Sequence, residues 1–182
     1  MIKLETLYIL AGLMFAAFAL FSLQDRSNPR RLVNFLFWGI YAITFMFGAE
    51  LPNFVTGCLA IALALIAGSG KLGKGNPDSA STAAAKRREA NAQRFGNKLF
   101  VPALLIPLVT LLGTFTLKYV PFVDPKSVTL ISLVLGTLVA FGTALMMLRD
   151  SPVHALKDAR HTMDTVGWAA ILPQMLAALG AL

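Results

Sequence analysis

Charged residues are scarce in this sequence. Only 14% of its 182 residues are Asp, Glu, Lys or Arg, whereas 57% are apolar. Soluble domains carry nearly twice that share of charge, so too few charges are present to cover a globule this rich in apolar side chains. Disorder is excluded as well, because disordered chains are poor in apolar residues. The single cysteine, Cys58, excludes an intrachain disulfide.

Charge is absent from long stretches that have the length of membrane helices. Thr6 to Leu23 contains no charged residue, and Leu32 to Gly70 is broken only by the polar turn at Glu50 to Asn53. As a helix the second stretch is roughly 58 Å long, about twice the thickness of a bilayer core. It therefore predicts two crossings joined by a hairpin. The runs lack the alternation of barrel strands, so we predict helices, which satisfy their own backbone groups in lipid.

The sequence thus predicts an all-α, polytopic membrane protein, with residues 1–182 forming a single membrane domain. The predicted spans lie at about 6–23, 32–49, 52–70, 99–117, 127–148 and 166–182. The connecting loop 71–98 contains a short charged helix over 82–95, ended by Gly96. Ser151 as N-cap and Pro152 at the first helical position predict an amphipathic surface helix over 152–164.

The predicted surface helix has two different faces. Its apolar residues recur every three or four positions, at Val153, Leu156, Ala159, Met163 and Val166. Its polar residues are assigned to the opposite face, at Lys157, Asp158, Arg160, His161 and Asp164. We therefore expect the charged side chains to face water and the apolar ones to face the membrane.

Basic residues are nearly absent from alternate connections between the spans. Thirteen of the sixteen Lys and Arg lie around 24–31, 71–98 and 149–165, and the other three are Lys3, Lys118 and Lys126. This alternation follows the positive-inside rule and predicts a multi-pass protein whose N-terminus lies outside. It also explains most of the formal charge of +7, so the lipid bilayer, and not a nucleic acid, is the expected partner.

Patterns for catalysis, cofactors or metals are missing or incomplete. No Ser/His/Asp or Cys/His arrangement is present, and the glycine-rich segment Ala67 to Lys74 lacks the residues of a phosphate loop. His154, Asp158 and His161 share one helical face, but they form an incomplete zinc ligand set on a face that is expected to be polar anyway. We therefore expect no enzyme activity, no cofactor and no metal site.

The candidate substrate-binding residues lie where apolar helices are interrupted. Pro107 interrupts the fourth run, and Pro173 followed by Gln174 interrupts the sixth. Proline leaves a carbonyl without its helical bond, and transporters present such groups to substrates. We predict Pro173 and Gln174 as substrate-binding residues, the alternative being a kink with an interhelical hydrogen bond. Glu50 and Asn53, at the outer hairpin, complete the predicted substrate-binding set as the mouth of the pathway.

Small residues recur every four positions in two of the runs. These stripes are Thr56, Ala60, Ala64 and Gly68 in the third run, and Ser132, Gly136, Ala140 and Ala144 in the fifth. Such stripes let helix backbones approach closely in lipid, so helix packing is the favoured interpretation. The alternative is a polar path that uses Ser132 and Thr143.

Three stretches carry a resemblance to a known family. They are MIKLETLYILAGLMFAAFAL, then DRSNPRR followed by LFWG, and the closing GWAAILPQMLAALGAL. They resemble a bacterial membrane-protein family long labelled a domain of unknown function, whose members are described as one subunit of a two-subunit 5-oxoproline (pyroglutamate) transporter. The resemblance spans most of the chain apart from 76–95. Family members continue with further apolar segments, so the chain resembles their N-terminal portion.

The resemblance implies a location in the bacterial inner membrane, a second membrane subunit as partner and a small carboxylate as substrate. The expected function is therefore that of a membrane subunit of a secondary transporter for a small organic anion, working by alternating access. The alternative is a membrane scaffold or assembly subunit that only packs against a partner permease. A water-filled cavity around Gln174 would favour the transporter, whereas a dry contact with another helix would favour the scaffold.

Overall fold

The computed structural model of the chain describes residues 4–26, 28–73, 80–120, 123–166 and 169. Its helices are α1 Leu4–Gln24, α2 Arg31–Phe47, α3 Asn53–Gly68, α4 Ala80–Phe95, α5 Val101–Leu117, α6 Val128–Leu148 and α7 Pro152–Val166, with a 3₁₀ segment Gly96–Phe100 between α4 and α5. Every regular element within these ranges is helical, which confirms the predicted all-α class for the described part of the chain.

Three helical stretches within the described ranges have the length and apolarity of a membrane span. They are Leu4–Gln24, Glu89–Leu117 and Val128–Leu148. The apolar helices α2 and α3 are shorter, with 17 and 16 residues. Five of the six predicted spans therefore coincide with apolar helices. The sixth, at 166–182, lies outside the described residues except for its first residue, Val166, and Ala169.

The predicted connection at 71–98 is more helical than expected. Gly96 has a φ of +48°, which glycine adopts without the strain that a Cβ brings. The α-helix ends there as predicted, at Phe95, but the 3₁₀ segment carries the chain directly into α5. Helical structure is thus continuous from Ala80 to Leu117, because i→i+3 hydrogen bonds replace the α-helical ones at the glycine.

The chain divides into two compact units, residues 1–8 with 78–152 and residues 9–77 with 153–182. In the first unit α5 and α6 pack along each other through small residues. A Cβ at Gly113 would lie 2.8 Å from Ser132 Oγ, and one at Gly136 would lie 2.9 Å from the Ile106 carbonyl oxygen. Ser132, Gly136 and Ala140 are buried. The packing interpretation of this stripe is therefore confirmed.

The second unit is built around aromatic side chains of α1 and α2. They are Phe15, Phe18, Phe37, Trp38, Tyr41 and Phe45, with ring centroids of contacting pairs 5.0–6.3 Å apart. Leu63 and Ala67 of α3 belong to the same buried cluster. Such aromatic pairs contribute roughly 0.5–1.5 kcal/mol each beyond the area that they bury, so this cluster is the core of the unit.

The small-residue stripe of α3 does not pack as predicted. Ala60 and Gly68 are exposed, and a Cβ at Gly68 would meet nothing within 4 Å. The helix instead buries Leu63 and Ala67. Leu63, Ile66 and Ala67 thus face the aromatic core, whereas Ala60 and Gly68 of the small-residue stripe are left open within the described part of the chain.

Candidate functional site

Four segments of the second unit meet at one end of its helices. They are the end of α1, the start of α2, the segment after α3 and the middle of α7. The α2–α3 hairpin explains part of this arrangement, because its helices have nearly equal lengths and return Gly73 to the start of α2. Arg26, Arg30 and Arg31 lie at this end as well, and we call it the basic end of the unit.

Arg160 of α7 is the central cation of the basic end and is only 5% exposed. Its Nη2 donates to Asp25 Oδ2 at 2.8 Å, and its Nη1 donates to the carbonyl oxygen of Phe21 at 3.1 Å. Phe21 lies in the last turn of α1, where the helix dipole favours a positive charge. Arg160 therefore caps α1 and neutralises Asp25 at the same time.

A second carboxylate extends this arrangement towards the aromatic core. Asp164, one turn after Arg160 on α7, is 3% exposed, and its Oδ2 lies 3.9 Å from Arg160 Nε. Its Oδ1 accepts a hydrogen bond of 2.9 Å from the indole Nε1 of Trp38. Asp25, Arg160, Asp164 and Trp38 thus form a continuous chain of polar contacts, which we call the charge chain. Charge-assisted bonds of this kind are among the stronger hydrogen bonds in proteins.

The segment after α3 is held beside the charge chain by two asparagines. The fully buried Asn34 donates from Nδ2 to the Gly73 carbonyl at 3.0 Å and accepts at Oδ1 from the Gly73 N–H at 3.2 Å. Asn28 donates to the same carbonyl at 3.3 Å. Gly73 has a φ of +141°, a conformation that a Cβ strains. These bonds satisfy both the N–H and the carbonyl of Gly73, as a neighbouring strand does for a residue in a sheet.

The assignment of charges to the water-facing side of α7 is wrong for two residues. Leu156, Ala159 and Met163 share one side of α7 as predicted, but they pack against the aromatic core and not the membrane, and Arg160 and Asp164 are buried with them. The sequence does contain a signal for this, because Leu156, Arg160 and Asp164 are spaced four residues apart and therefore share one helix face. Charges buried at the end of an apolar bundle require partners, and Asp25 and Trp38 supply them.

The predicted substrate-binding residues do not gather at the basic end. Glu50 and Asn53 are exposed at the α2–α3 hairpin, separated from the basic end by the length of α2, about 25 Å. Pro173 and Gln174 lie outside the described residues. The structure therefore does not bring Glu50 and Asn53 into the charge chain, and the predicted roles of Pro173 and Gln174 remain predictions.

The histidines of α7 do not complete a metal site in the described part of the chain. His154 Nδ1 lies 4.0 Å from Asp158 Oδ2, and both side chains are partly exposed. The side chain of His161 lies outside the described residues. No group of three or more His, Cys, Asp or Glu side chains that could hold a metal ion is found among the residues that the structure describes.

A half-open cleft of about 340 Å³ lies beside the charge chain. It is lined by Phe21, Gln24, Asp25, Lys157, Asp158 and Arg160. Lys157 Nζ lies 5.6 Å from the centre of the Phe21 ring, which is within the range of a cation–π contact. The cleft thus combines one apolar wall with two cations and two carboxylates.

These features define an all-α chain with apolar helices of membrane-span length and a buried charge chain at one end of a helical unit. The chain belongs to the family described as "protein of unknown function (DUF979)", which matches residues 5–182. The match covers α2 to α7 completely and all but the first residue of α1. Searches among curated proteins and among solved structures gave no match.

Proposed function

We propose that the chain is a membrane subunit of a secondary transporter for a small organic anion, with 5-oxoproline as the expected substrate. The apolar helices support a location in the bilayer, and the sequence resemblance supports the substrate. The observation that carries the proposal is the charge chain, in which Arg160 and Asp164 are buried at the end of an otherwise apolar unit.

Buried ion pairs are poor stabilisers, and this favours a role in switching. Removing two charges from water costs several kcal/mol per ion, and apolar residues of similar volume often stabilise a protein equally well. A broken and re-formed ion pair, in contrast, gives a helix two discrete positions. Alternating access moves one part of a transporter against another around the binding site, and an element with two positions can gate that motion.

The chemistry of Asp25 links the charge chain to an anionic substrate. A substrate carboxylate offers Arg160 the same acceptor oxygens as the Asp25 carboxylate, which now lies 2.8 Å from Nη2. Exchange of one carboxylate for the other would release α7 from the end of α1 while Arg160 stays neutralised. In this mechanism Arg160 and Asp25 are the gate, and arrival of substrate favours its opening.

The test is uptake of labelled 5-oxoproline by cells that contain this chain and the second membrane subunit. The double variant Asp25→Leu with Arg160→Met replaces the ion pair by apolar residues of similar size. We expect it to insert and fold but to lose uptake, whereas Lys118→Met, which removes an exposed cation of the first unit, should transport normally. Normal uptake by the double variant at matched expression would show that the ion pair is only structural.

Gln174 remains the predicted substrate-binding amide. Gln174→Leu keeps the volume roughly constant and removes both the donor and the acceptor, and leucine favours membrane insertion. We expect loss of uptake with normal insertion. Gln174→Glu adds a negative charge and should repel an anion at neutral pH. Normal uptake by Gln174→Leu would leave the amide with a packing role alone.

A packing subunit is the second candidate, and the open face of α3 favours it. Gly57 and Gly68 have nothing within 4 Å of a Cβ position, and Ala60 is exposed. A partner helix can approach such a face closely. Ala60→Leu should then prevent co-purification of the second subunit, while Cys58→Leu on the same helix should not. If this chain only packs, the Asp25→Leu/Arg160→Met variant will retain uptake.

The proposed orientation places the N-terminus outside and the basic end in the cytoplasm. Single cysteines at Ser81 and at Asn53, in a background without Cys58, should label oppositely with an impermeant thiol reagent. The cysteine at Asn53 should react in intact cells, and that at Ser81 should react only after the membrane is opened. Labelling of the cysteine at position 81 in intact cells would show that the orientation is the opposite of the proposed one.

A further inference from the structure

Exposed cations surround the charge chain at the basic end. Arg26 directly follows Asp25, Lys71 lies two residues before Gly73, and Lys157 lies over the Phe21 ring. Arg30 Nη1 lies 3.5 Å from the Cβ position of Gly73. All four residues are exposed, and each lies in a segment that meets the others at the basic end of the unit.

Cations outnumber carboxylates among the described residues of the basic end. Asp25 binds Arg160, which also lies beside Asp164, and Asp158 is the third carboxylate there. The cations are Arg26, Arg30, Arg31, Lys71, Lys157 and Arg160. Six cations against three carboxylates leave a net positive charge. An anionic partner can approach Arg26 and Lys157 without displacing any member of the charge chain.

The cleft beside these cations continues into an apolar track along α1. Gln24, which lines the cleft, lies one turn above Leu20, and Leu13 lies two turns below Leu20 on the same face. Leu20 is 56% exposed and Leu13 is 52% exposed. The track from Leu13 to Gln24 is about 16 Å long, comparable to a large part of a lipid acyl chain. A small soluble anion has no apolar chain to place on this track, whereas a lipid has one.

We infer that this cleft binds an anionic phospholipid, with the phosphate between Lys157 and Arg26 and an acyl chain along Leu20 and Leu13. Lys157 is placed for this, because its ammonium group lies over the Phe21 ring in the lining of the cleft, 5.6 Å from the ring centre. Basic clefts between helices at a membrane surface bind anionic headgroups, and each Lys or Arg contributes about 1 kcal/mol. The lipid would hold α7 against the end of α1, independently of any transported substrate.

The experiment compares lipid retention by the purified full chain in a neutral detergent. Palmitoyl-oleoyl phosphatidylglycerol is the anionic probe and the matching phosphatidylcholine is the neutral one, with bound lipid counted by native mass spectrometry. We expect Lys157→Gln with Arg26→Gln to weaken phosphatidylglycerol binding by about 25-fold, or about fivefold per cation. The matched control, Lys118→Gln with Lys126→Gln, should bind the lipid as the parent chain does.

Two further arms make every outcome informative. Leu20→Gln should weaken binding of phosphatidylglycerol but leave any binding of glycerol 1-phosphate unchanged, because only the lipid uses the apolar track. If glycerol 1-phosphate competes as well as the lipid, the cleft is a site for soluble anions and the inference is wrong. Equal retention of the two lipids, or equal loss in the control pair, would also overturn it. Unfolding temperatures without lipid show whether each variant is folded.

Discussion

The two units of this chain pack their helices by different means. In the first, α5 and α6 touch through glycine and serine, with Cβ positions at Gly113 and Gly136 already within 3 Å of the neighbouring helix. In the second, aromatic rings fill the core, and the buried charges of Arg160 and Asp164 join α7 to α1 and α2. Lipid provides no hydrophobic drive between helices, so close backbone contact and polar bonds are the available alternatives.

The difference teaches which contacts can move. A backbone held at van der Waals distance along two helices has no second arrangement that is equally well packed. An ion pair with an exposed cleft beside it does have one, because another anion or cation can take over each partner. We therefore expect the α5–α6 pair to be the rigid part of the chain and the basic end to be the part that switches.

The largest effect is expected at Arg160. Arg160→Leu leaves Asp25 without its cation and Asp164 without its neighbouring charge, and breaking a buried pair costs about 3–5 kcal/mol. The unfolding temperature of the purified protein in detergent should therefore fall strongly. Adding Asp25→Leu should restore a large part of this loss. No loss in the single variant would show that the ion pair contributes nothing to stability.

A somewhat smaller effect is expected at the helix crossing of the first unit. Gly136→Leu places a side chain where the Ile106 carbonyl oxygen already lies 2.9 Å from the Cβ position. Overpacking of this kind costs about 1–3 kcal/mol and should force α5 and α6 apart. Gly142→Leu in the same helix is the control, because nothing lies within 4 Å of its Cβ position. Equal unfolding temperatures of the two variants would contradict the packing described here.

The docking of the segment after α3 depends on Asn34. Asn34→Leu removes both hydrogen bonds to Gly73 and leaves buried backbone groups with fewer partners, at a cost of about 1–3 kcal/mol. Proteolysis should then cut near residue 73 faster than in the parent chain. Asn53→Leu, at the exposed hairpin, serves as the control and should change neither the unfolding temperature nor the cleavage rate.

The smallest effect is expected from a single methyl group at Gly73. Its φ of +141° is strained for alanine, so Gly73→Ala should destabilise the basic end by about 1 kcal/mol. Gly68→Ala has open space around it in α3 and should instead stabilise the helix slightly. A shift of the same sign in both variants would mean that the Gly73 backbone can relax.

Local features of the sequence predicted much of the fold. The apolar runs coincide with α1, α2, α3, α5 and α6, and Pro152 begins α7 where the Ser-Pro pair predicted it. These predictions succeed because helix formation, capping and proline geometry depend on neighbouring residues. The candidate site is harder to predict from the sequence. Glu50 and Asn53 were chosen as polar residues near a hairpin, and polarity alone does not say which residues meet in space.

What the sequence by itself determined is therefore the all-helical class, the apolar helices and their approximate ends, because these follow from composition and from contacts a few residues apart. What only the tertiary structure decided is the fate of the charges. Asp25 and Arg160 are 135 positions apart, and Trp38 and Asp164 are 126 apart. Whether α7 exposes or buries Arg160 depends on the partners that the fold of the second unit brings to it, since a charge is buried only where its desolvation is offset by an opposite charge and hydrogen bonds.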